Sequence, residues 1–353
     1  MNEALDEPAA PPRYAAVALQ TRCDTVNRFG IEEARQAMLQ SIARVGDQVL
    51  AACRFIGPQL RLVVLPEYFM TGFPIGEGIE SWAKKAAVAP DGPEMEKLGE
   101  VAQKANVYLG GNAYEQDRHF PGLYFQTCFI IDPAGSVILR YRRLVSMYAP
   151  TPHDVWDRYL DIYGIEGVFP VAETELGRLA CCASEEILFP EICRAHALRG
   201  AEVILHPTSE IASPELTPKD ICKRARAIEN QAYVVSANTA GIFGTAIPPE
   251  SADAMSKVID FKGHVLACAG AGESMVANAD IDIAALRAAR RLPGMPAYLS
   301  RQRLEAFAGT YSAFSVYPPN SLMRDGAPYV PERSHFLDTH RQTIRRLVEA
   351  EHI

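Results

Sequence analysis

The sequence lacks the features that mark nucleic-acid-binding, membrane and secreted proteins. Lys and Arg number 35 against 43 Asp and Glu, a formal net charge of −8, with no basic run, whereas a nucleic-acid binder normally carries a basic patch. No apolar stretch reaches the roughly 20 residues that span a bilayer. The acidic start, MNEALDE, has no charged-then-apolar signal sequence. We therefore expect a cytoplasmic protein that binds neither nucleic acid nor membrane.

Cysteine spacing typical of a metal site or a disulfide framework is also missing. The 8 cysteines contain no CxxC pair, and most lie inside apolar runs, as buried reduced thiols do. A chain of 353 residues is long enough to bury a core without such cross-links. We expect neither a metal nor another cofactor.

What the sequence does contain is an alternation of apolar strands and amphipathic helices, with hairpins between them. This order predicts an α/β layered sandwich, a pair of mixed sheets with helices outside, rather than a doubly wound parallel sheet. The predicted strands are 14–22, 62–65, 107–111, 125–132, 137–141, 179–184, 202–206, 232–238, 256–260, 264–268 and 275–281. The predicted helices are 31–54, 94–106, 190–199, 219–230, 283–291 and 336–351.

Proline divides the chain into three parts. Residues 1–12 are predicted to be a disordered leader, and residues 13–291 hold the strands and most of the helices. Residues 292–353 are punctuated by proline and cannot form a core alone. We expect this C-terminal extension to pack on a neighbouring subunit.

The first segment with potential chemistry is LPEYFMTG, where Glu67 directly follows an apolar strand. Ligands collect at strand ends in α/β sheets. A carboxylate flanked by aromatics such as Tyr68 is partly desolvated, which raises its pKa towards that of a useful general base. Alternatively, Glu67 is a solvated loop residue.

The second segment, LRYRRL, places Arg140, Arg142 and Arg143 at the end of a strand. The guanidinium group offers a fixed fork of donors for a carboxylate or an oxyanion. A solvated basic edge is the alternative.

The third segment places Ser184 where an apolar strand meets a polar turn. Strand-to-helix turns expose a nucleophile and supply backbone N–H donors for an oxyanion. Alternatively, Ser184 only caps the next helix.

Together these segments resemble the signature of the nitrilase, or carbon–nitrogen hydrolase, superfamily over about residues 14–291. The matching pieces are LPEYFMTG, DPAGSVILRYRR, FPVAETELGRLACCASEEILFPE, HALRGAEVILHPTSE and RARAIENQAYVVSAN. The resemblance implies an α-β-β-α four-layer sandwich and a homodimer or higher homo-oligomer. GVFPV at residues 167–171 looks more like amidase and carbamoylase branches than nitrile-specific ones.

The resemblance also implies a catalytic triad, from which this chain departs at two positions. The family's Glu, Lys and Cys map onto Glu67, Arg143 and Ser184. A serine hydroxyl needs a stronger adjacent base than a cysteine thiol does, and arginine cannot give up a proton. An engineered change at Ser184 would not explain Arg143, so natural divergence accounts better for both.

A second possible nucleophile is Cys182, which lies one strand step deeper on the same strand face as Ser184. More simply, Cys182 is a small buried hydrophobe, as free cysteines often are. The family's further glutamate falls at Thr151, and Asp154 is the nearest acid.

The substrate-binding candidates are residues near the three motifs. The resemblance implies that Glu185 supplies an oxyanion N–H, and from its charge we expect it to hold a cationic group of the substrate. The others are Tyr68, Glu115, Glu186 and His206.

Two functions follow as hypotheses. The first is an amidase-like C–N hydrolase or acyl-transfer enzyme that acts on a small amide or carbamoyl substrate through Glu67, Arg143 and Ser184. The second is a catalytically inactive homologue that binds a small ligand or acts as a partner subunit. Clustered ionisable groups favour a retained ligand site. Residues 147–165 are a candidate lid.

Overall fold

The computed structural model describes residues 12–252 and 255–353, so the predicted leader lies, except for Pro12, outside the described residues. The strands are β1 Arg13–Ala18, β2 Cys23–Asp24, β3 Leu60–Val64, β4 Tyr108–Gln116, β5 Tyr124–Ile131, β6 Val137–Arg142, β7 Ala172–Thr174, β8 Gly177–Cys181, β9 Val203–Pro207, β10 Tyr233–Ala237, β11 Ile242–Phe243, β12 Lys257–Ile259, β13 Val265–Cys268, β14 Asn278–Asp282, β15 Met323–Arg324 and β16 Ala327–Pro328. The α-helices are α1 Ile31–Ile56, α2 Ile79–Ala86, α3 Pro93–Ala105, α4 Trp156–Tyr163, α5 Pro190–Leu198, α6 Pro218–Asn230, α7 Ile283–Arg291, α8 Leu304–Ala313 and α9 Ser334–Glu349.

Twelve of these strands form two six-stranded sheets, ordered β14-β1-β3-β4-β5-β6 and β13-β12-β10-β9-β8-β7. Each sheet has a parallel centre (β1, β3 and β4; β8, β9 and β10) with antiparallel flanks. The sheets pack face to face, with α1, α2 and α3 over the first and α5 and α6 over the second. The α-β-β-α sandwich of mixed sheets is therefore confirmed.

The apolar run of β3 shows why the layers form. Leu62 and Val64 pack between the two sheets, whereas Val63 and Leu65 pack towards the helices, because successive side chains of a strand point to opposite faces. The sheets approach closely beside this strand. A Cβ on Gly110 would lie 2.4 Å from Leu205 Cδ2, so a larger residue here would force the Leu205 side chain to shift.

Some elements differ from the prediction. The strand predicted to reach residue 184 ends at Cys181. Ser184 is instead the first residue of a 3₁₀ helix, Ser184–Leu188. Helices α2, α4 and α8 are not foreseen by the sequence pattern. Two of them, α2 and α4, have only eight residues, too few to display a clear 3.6-residue period.

The C-terminal extension packs partly on its own chain. Leu322 and Phe336 are buried, the Leu322 N–H donates to the Asp154 carbonyl at 2.9 Å, and Ser321 Oγ donates to Asp154 Oδ1 at 2.6 Å. Asp154 also accepts from Thr151, so its carboxylate holds the extension and a turn. Packing on a neighbouring subunit stays a prediction.

No α-helix in the described ranges is both long and apolar enough to cross a membrane.

Candidate active site

A cavity of about 460 Å³ opens at the carboxyl edge of the strands, and the three motif segments meet in its wall. The Glu67 N–H donates to the Thr208 carbonyl at 3.3 Å, which joins the segments that follow β3 and β9. The charged or polar residues of these three segments that line the cavity are Glu67, Tyr68, Arg143, Ser184 and Glu185. The structure therefore brings these five side chains to one cavity.

Ser184 occupies a strained turn that presents its hydroxyl to the cavity. Its φ of 48° is in the left-handed region, which non-glycine residues seldom adopt and which is frequent at functional sites. The turn is held from behind, since His206 Nε2 lies 2.8 Å from the Ser184 carbonyl and His206 Nδ1 lies 2.9 Å from Ser236 Oγ. A carbonyl only accepts, so Nε2 carries the hydrogen. Burial lowers the pKa of His206 to about 3, so the ring is neutral and positions Ser184 without lining the cavity.

Glu67 is buried beside the Ser184 hydroxyl. Its Oε1 accepts hydrogen bonds from Gln126 Nε2 at 3.0 Å and Arg143 Nη1 at 3.3 Å. Burial raises the pKa of Glu67 above its ordinary value, and the charges of Arg143 and Lys219 and a hydrogen bond with Ser184 partly offset that rise. The geometry excludes a solvated loop glutamate and is typical of a general base.

Arg143 is buried and joins two carboxylates across the cavity wall. Its Nη1 donates to Glu67 Oε1 and to Gln126 Oε1, the latter at 2.8 Å, and its Nη2 donates to Glu185. Its Nε donates to the Val145 carbonyl at 2.6 Å. This side chain is therefore held in one place by its partners, unlike the solvated basic edge that was the alternative.

The neighbouring arginine points the other way. Arg142 pairs with Glu115 and, at 2.7 Å, with Asp117, and these residues line a separate cavity of about 980 Å³. Glu115 is not among the residues that line the Ser184 cavity. Adjacent strand residues face opposite sides of a sheet, which separates Arg142 from Arg143.

Glu186 connects the arginine segment to the serine turn from beneath the cavity. It is fully buried and accepts hydrogen bonds from Tyr141 Oη at 2.8 Å and from the N–H groups of Leu144 and Val145 at 2.7 and 3.0 Å. It does not line the cavity, so its place is structural.

We expect Glu186→Ala to lower the free energy of unfolding by about 3 kcal/mol or more, because several buried donors lose their acceptor. Urea denaturation measures this. The matched control Tyr141→Phe removes one of the same hydrogen bonds and is expected to cost about 1 kcal/mol. Equal stability of Glu186→Ala and the parent protein would contradict the assignment.

Cys182 is fully buried in the core between the sheets. Burial raises the pKa of its thiol well above the ordinary value, and a thiol rather than a thiolate is a poor nucleophile. We expect Cys182→Ala to leave the rate of amide hydrolysis unchanged and to cost about 1 kcal/mol of stability through the small cavity it opens. Loss of activity by a folded Cys182→Ala protein would restore Cys182 as a nucleophile.

Lys219 is a cavity residue that the sequence motifs do not indicate. This residue follows Pro218 at the start of α6, where Thr217 caps the helix by accepting from the Asp220 N–H at 3.2 Å. Lys219 Nζ donates to Ser184 Oγ at 3.3 Å and lines the cavity. The Thr-Pro cap is a recognisable helix start, but the pattern does not show that this helix end meets the serine turn.

Other cavity residues come from segments with no motif. Met147 and Tyr148 line it from the candidate lid, and Arg333 lines it from the C-terminal extension. Apolar side chains, including Phe73, Ile75 and Ile79, supply much of the remaining wall.

Within residues 12–252 and 255–353, no three His, Cys, Asp or Glu side chains form a group that could hold a metal ion.

Comparison with known proteins agrees with this architecture. The family model for carbon-nitrogen hydrolases matches residues 15–291. The chain belongs to the carbon-nitrogen hydrolase family. Human omega-amidase NIT2 is 27% identical to it over 258 residues, which cover 72% of this chain and 89% of NIT2.

Solved carbon-nitrogen hydrolases share the fold. Nit3 of Saccharomyces cerevisiae, described as a member of branch 10 of the nitrilase superfamily, superposes with a TM-score of 0.61 at 20% identity and covers 79% of this chain and 93% of its own. A carbon-nitrogen hydrolase from Helicobacter pylori superposes with a TM-score of 0.62 at 21% identity, covering 85% and 98% of the two chains.

Proposed function

We propose that this carbon-nitrogen hydrolase cleaves the C–N bond of a small amide or carbamoyl-type substrate, or transfers its acyl group, through Glu67, Arg143 and Ser184. The observation that carries the proposal is the meeting of these three side chains at one cavity, with the Glu67 carboxylate next to the Ser184 hydroxyl. Family membership supports the reaction class.

In the first step, Ser184 Oγ attacks the carbonyl carbon of the substrate and its proton passes to the Glu67 carboxylate. The carbonyl π electrons move to oxygen and form an oxyanion. Glu185 is the second residue of the 3₁₀ helix, where a backbone N–H has no partner within the helix. That N–H is the proposed oxyanion donor, the type of group that stabilises tetrahedral intermediates.

In the second step, the oxyanion re-forms the carbonyl, the C–N bond breaks as a protonated side chain of the site gives a proton to the nitrogen, the amine leaves and an acyl ester remains on Ser184. Water then attacks the ester and releases the acid, or an amine acceptor takes the acyl group. Arg143 touches Glu67 and Glu185 and is the proposed positioning residue of the site. Its guanidinium group stays protonated in proteins and cannot transfer a proton.

The cavity supports a small substrate. About 460 Å³ is at the lower end of the range for small-molecule sites, which combine apolar walls with a few polar groups. Tyr68 and Glu185 are the proposed substrate contacts among the sequence candidates. The human relative is an omega-amidase, which supports an amide substrate rather than a nitrile.

The test is release of ammonia and acid from a panel of small amides, carbamoyl compounds and nitriles, with Ser184→Ala and Glu67→Gln beside the parent protein. We expect release from amides that both substitutions abolish. If no protein releases ammonia while panel compounds still raise the melting temperature of the parent, the protein is an inactive homologue that binds a ligand. That outcome would overturn the proposal.

A further inference from the structure

We infer that Lys219 is a catalytic residue of this site, which protonates the leaving amine and then accepts a proton from the attacking water. The inference rests on the proposed function and assigns the acid–base role that Arg143 cannot fill. Lys219 lies outside the sequence motifs, on helix α6, which packs on the second sheet.

The first observation is direct contact with the nucleophile. Lys219 Nζ lies 3.3 Å from Ser184 Oγ, within reach of any group that Oγ joins to the acyl carbon. Arg143 donates instead to Glu67, Gln126 and Glu185. The cation that touches the serine hydroxyl is therefore a lysine.

The second observation is that two acidic residues near Lys219, Glu210 and Asp220, are already paired with other lysines. Lys223 Nζ lies 2.5 Å from Glu210 Oε1, and Lys257 Nζ lies 2.5 Å from Asp220 Oδ1. Within the described part of the chain, the hydrogen bond made by Lys219 Nζ is the one to Ser184. Its ammonium group is thus left for the reacting atoms.

The third observation is that the position of Lys219 is fixed by the start of α6. The Thr217 cap sets the first turn, and Arg226 on the same helix donates from Nε to the Ile187 carbonyl at 2.9 Å and from Nη2 to the Leu188 carbonyl at 3.1 Å. Those carbonyls belong to the 3₁₀ helix that begins at Ser184. The helix with the lysine and the turn with the serine are therefore one rigid unit.

The proton balance assigns one transfer to each group. In acylation, Glu67 takes the proton of Ser184, and the ammonium of Lys219 gives a proton to the departing nitrogen as the C–N bond breaks. Glu67 is then protonated and Lys219 neutral. In deacylation, Lys219 takes a proton from water as its oxygen bonds to the acyl carbon, and Glu67 returns its proton to Ser184 Oγ. Both groups end as they began, and one water is consumed.

The decisive variant is Lys219→Arg, which keeps the positive charge but cannot transfer a proton. Loss of a general acid–base group typically costs 10²–10⁴-fold, so we expect kcat for amide hydrolysis to fall by about 10²-fold. An ester such as 4-nitrophenyl acetate needs no protonation of its leaving group. With that ester we expect the variant to keep the pre-steady-state burst of 4-nitrophenolate, at one equivalent per site, and to lose steady-state turnover.

Lys97→Arg is the matched control, because Lys97 is exposed on α3 and far along the chain from the site. We expect it to behave as the parent protein in both assays. Thermal melting verifies that each variant is folded. A Lys219→Arg protein with parental amide kcat would overturn the inference, as would equal loss of the ester burst and the amide reaction. A parent protein that hydrolyses no amide and gives no burst would overturn the proposed function, and the role of Lys219 with it.

Discussion

Replacing Ser184 with alanine is expected to abolish amide hydrolysis, lowering kcat/KM by about 10⁴-fold or more, as loss of a catalytic serine does in serine hydrolases. The residual rate is then what binding and oxyanion stabilisation alone provide. The melting temperature should stay nearly the same, because the side chain of Ser184 hydrogen-bonds at the cavity wall and both serine and alanine carry a Cβ at φ 48°.

Ser184→Cys is the matched control for that experiment. A thiol is more nucleophilic than a hydroxyl near neutral pH and needs less help from a base. We expect Ser184→Cys to keep activity or gain it, while Ser184→Ala has none. If the alanine variant kept more than about a tenth of the parental kcat/KM, the loss would be too small for a nucleophile.

The second large effect is expected from Glu67→Gln, which keeps the shape of the side chain and removes the base. General-base catalysis contributes about 10²–10⁴-fold, and we expect the upper part of that range because a serine depends on its base. The Gln126 and Arg143 contacts of Glu67 can be partly kept by the amide oxygen. We therefore expect kcat to fall far more than KM rises.

The same residue sets the acid side of the pH profile. Glu67 acts as a base only when it is ionised, so activity is lost as the pH falls through its pKa. Burial raises that pKa above the ordinary glutamate value, so the parental kcat/KM should decline at a higher pH than a solvated glutamate would give. The residual rate of Glu67→Gln should lack this decline. A decline of the same midpoint in Glu67→Gln would assign it to another group.

The sequence was sufficient to predict the layers and the centre of the site because both depend on local patterns. The apolar residues 62–65 stop abruptly at Pro66-Glu67. This pattern predicts a buried strand with a carboxylate at its carboxyl end, where ligands bind in α/β sheets. The strand before Ser184 ends equally abruptly. The pattern also predicts strand over residues 182–184, beyond the true end of the strand at Cys181, since a 3₁₀ turn has no apolar period of its own.

The parts that the sequence did not predict depend on side-chain direction and on distant helices. Tyr114 lines the Ser184 cavity whereas Glu115, one residue on, lines the second cavity. A shift of one residue along a strand moves a side chain to the opposite face of the sheet. A sequence motif does not show which face each of its residues occupies. Lys219 reaches Ser184 only through the docking of α6 on the turn, a contact between residues 35 positions apart.

The serine nucleophile is tested most directly by locating the acyl group on the protein. The parent protein and Ser184→Ala would be mixed with 4-nitrophenyl acetate, quenched in acid and digested, and the peptides mapped by mass spectrometry. If Ser184 is the nucleophile, we expect an acetyl group on Ser184 of the parent protein and no acetylated peptide from this segment in Ser184→Ala. An acetyl group on Cys182, or none on this segment in the parent protein, would contradict a serine nucleophile.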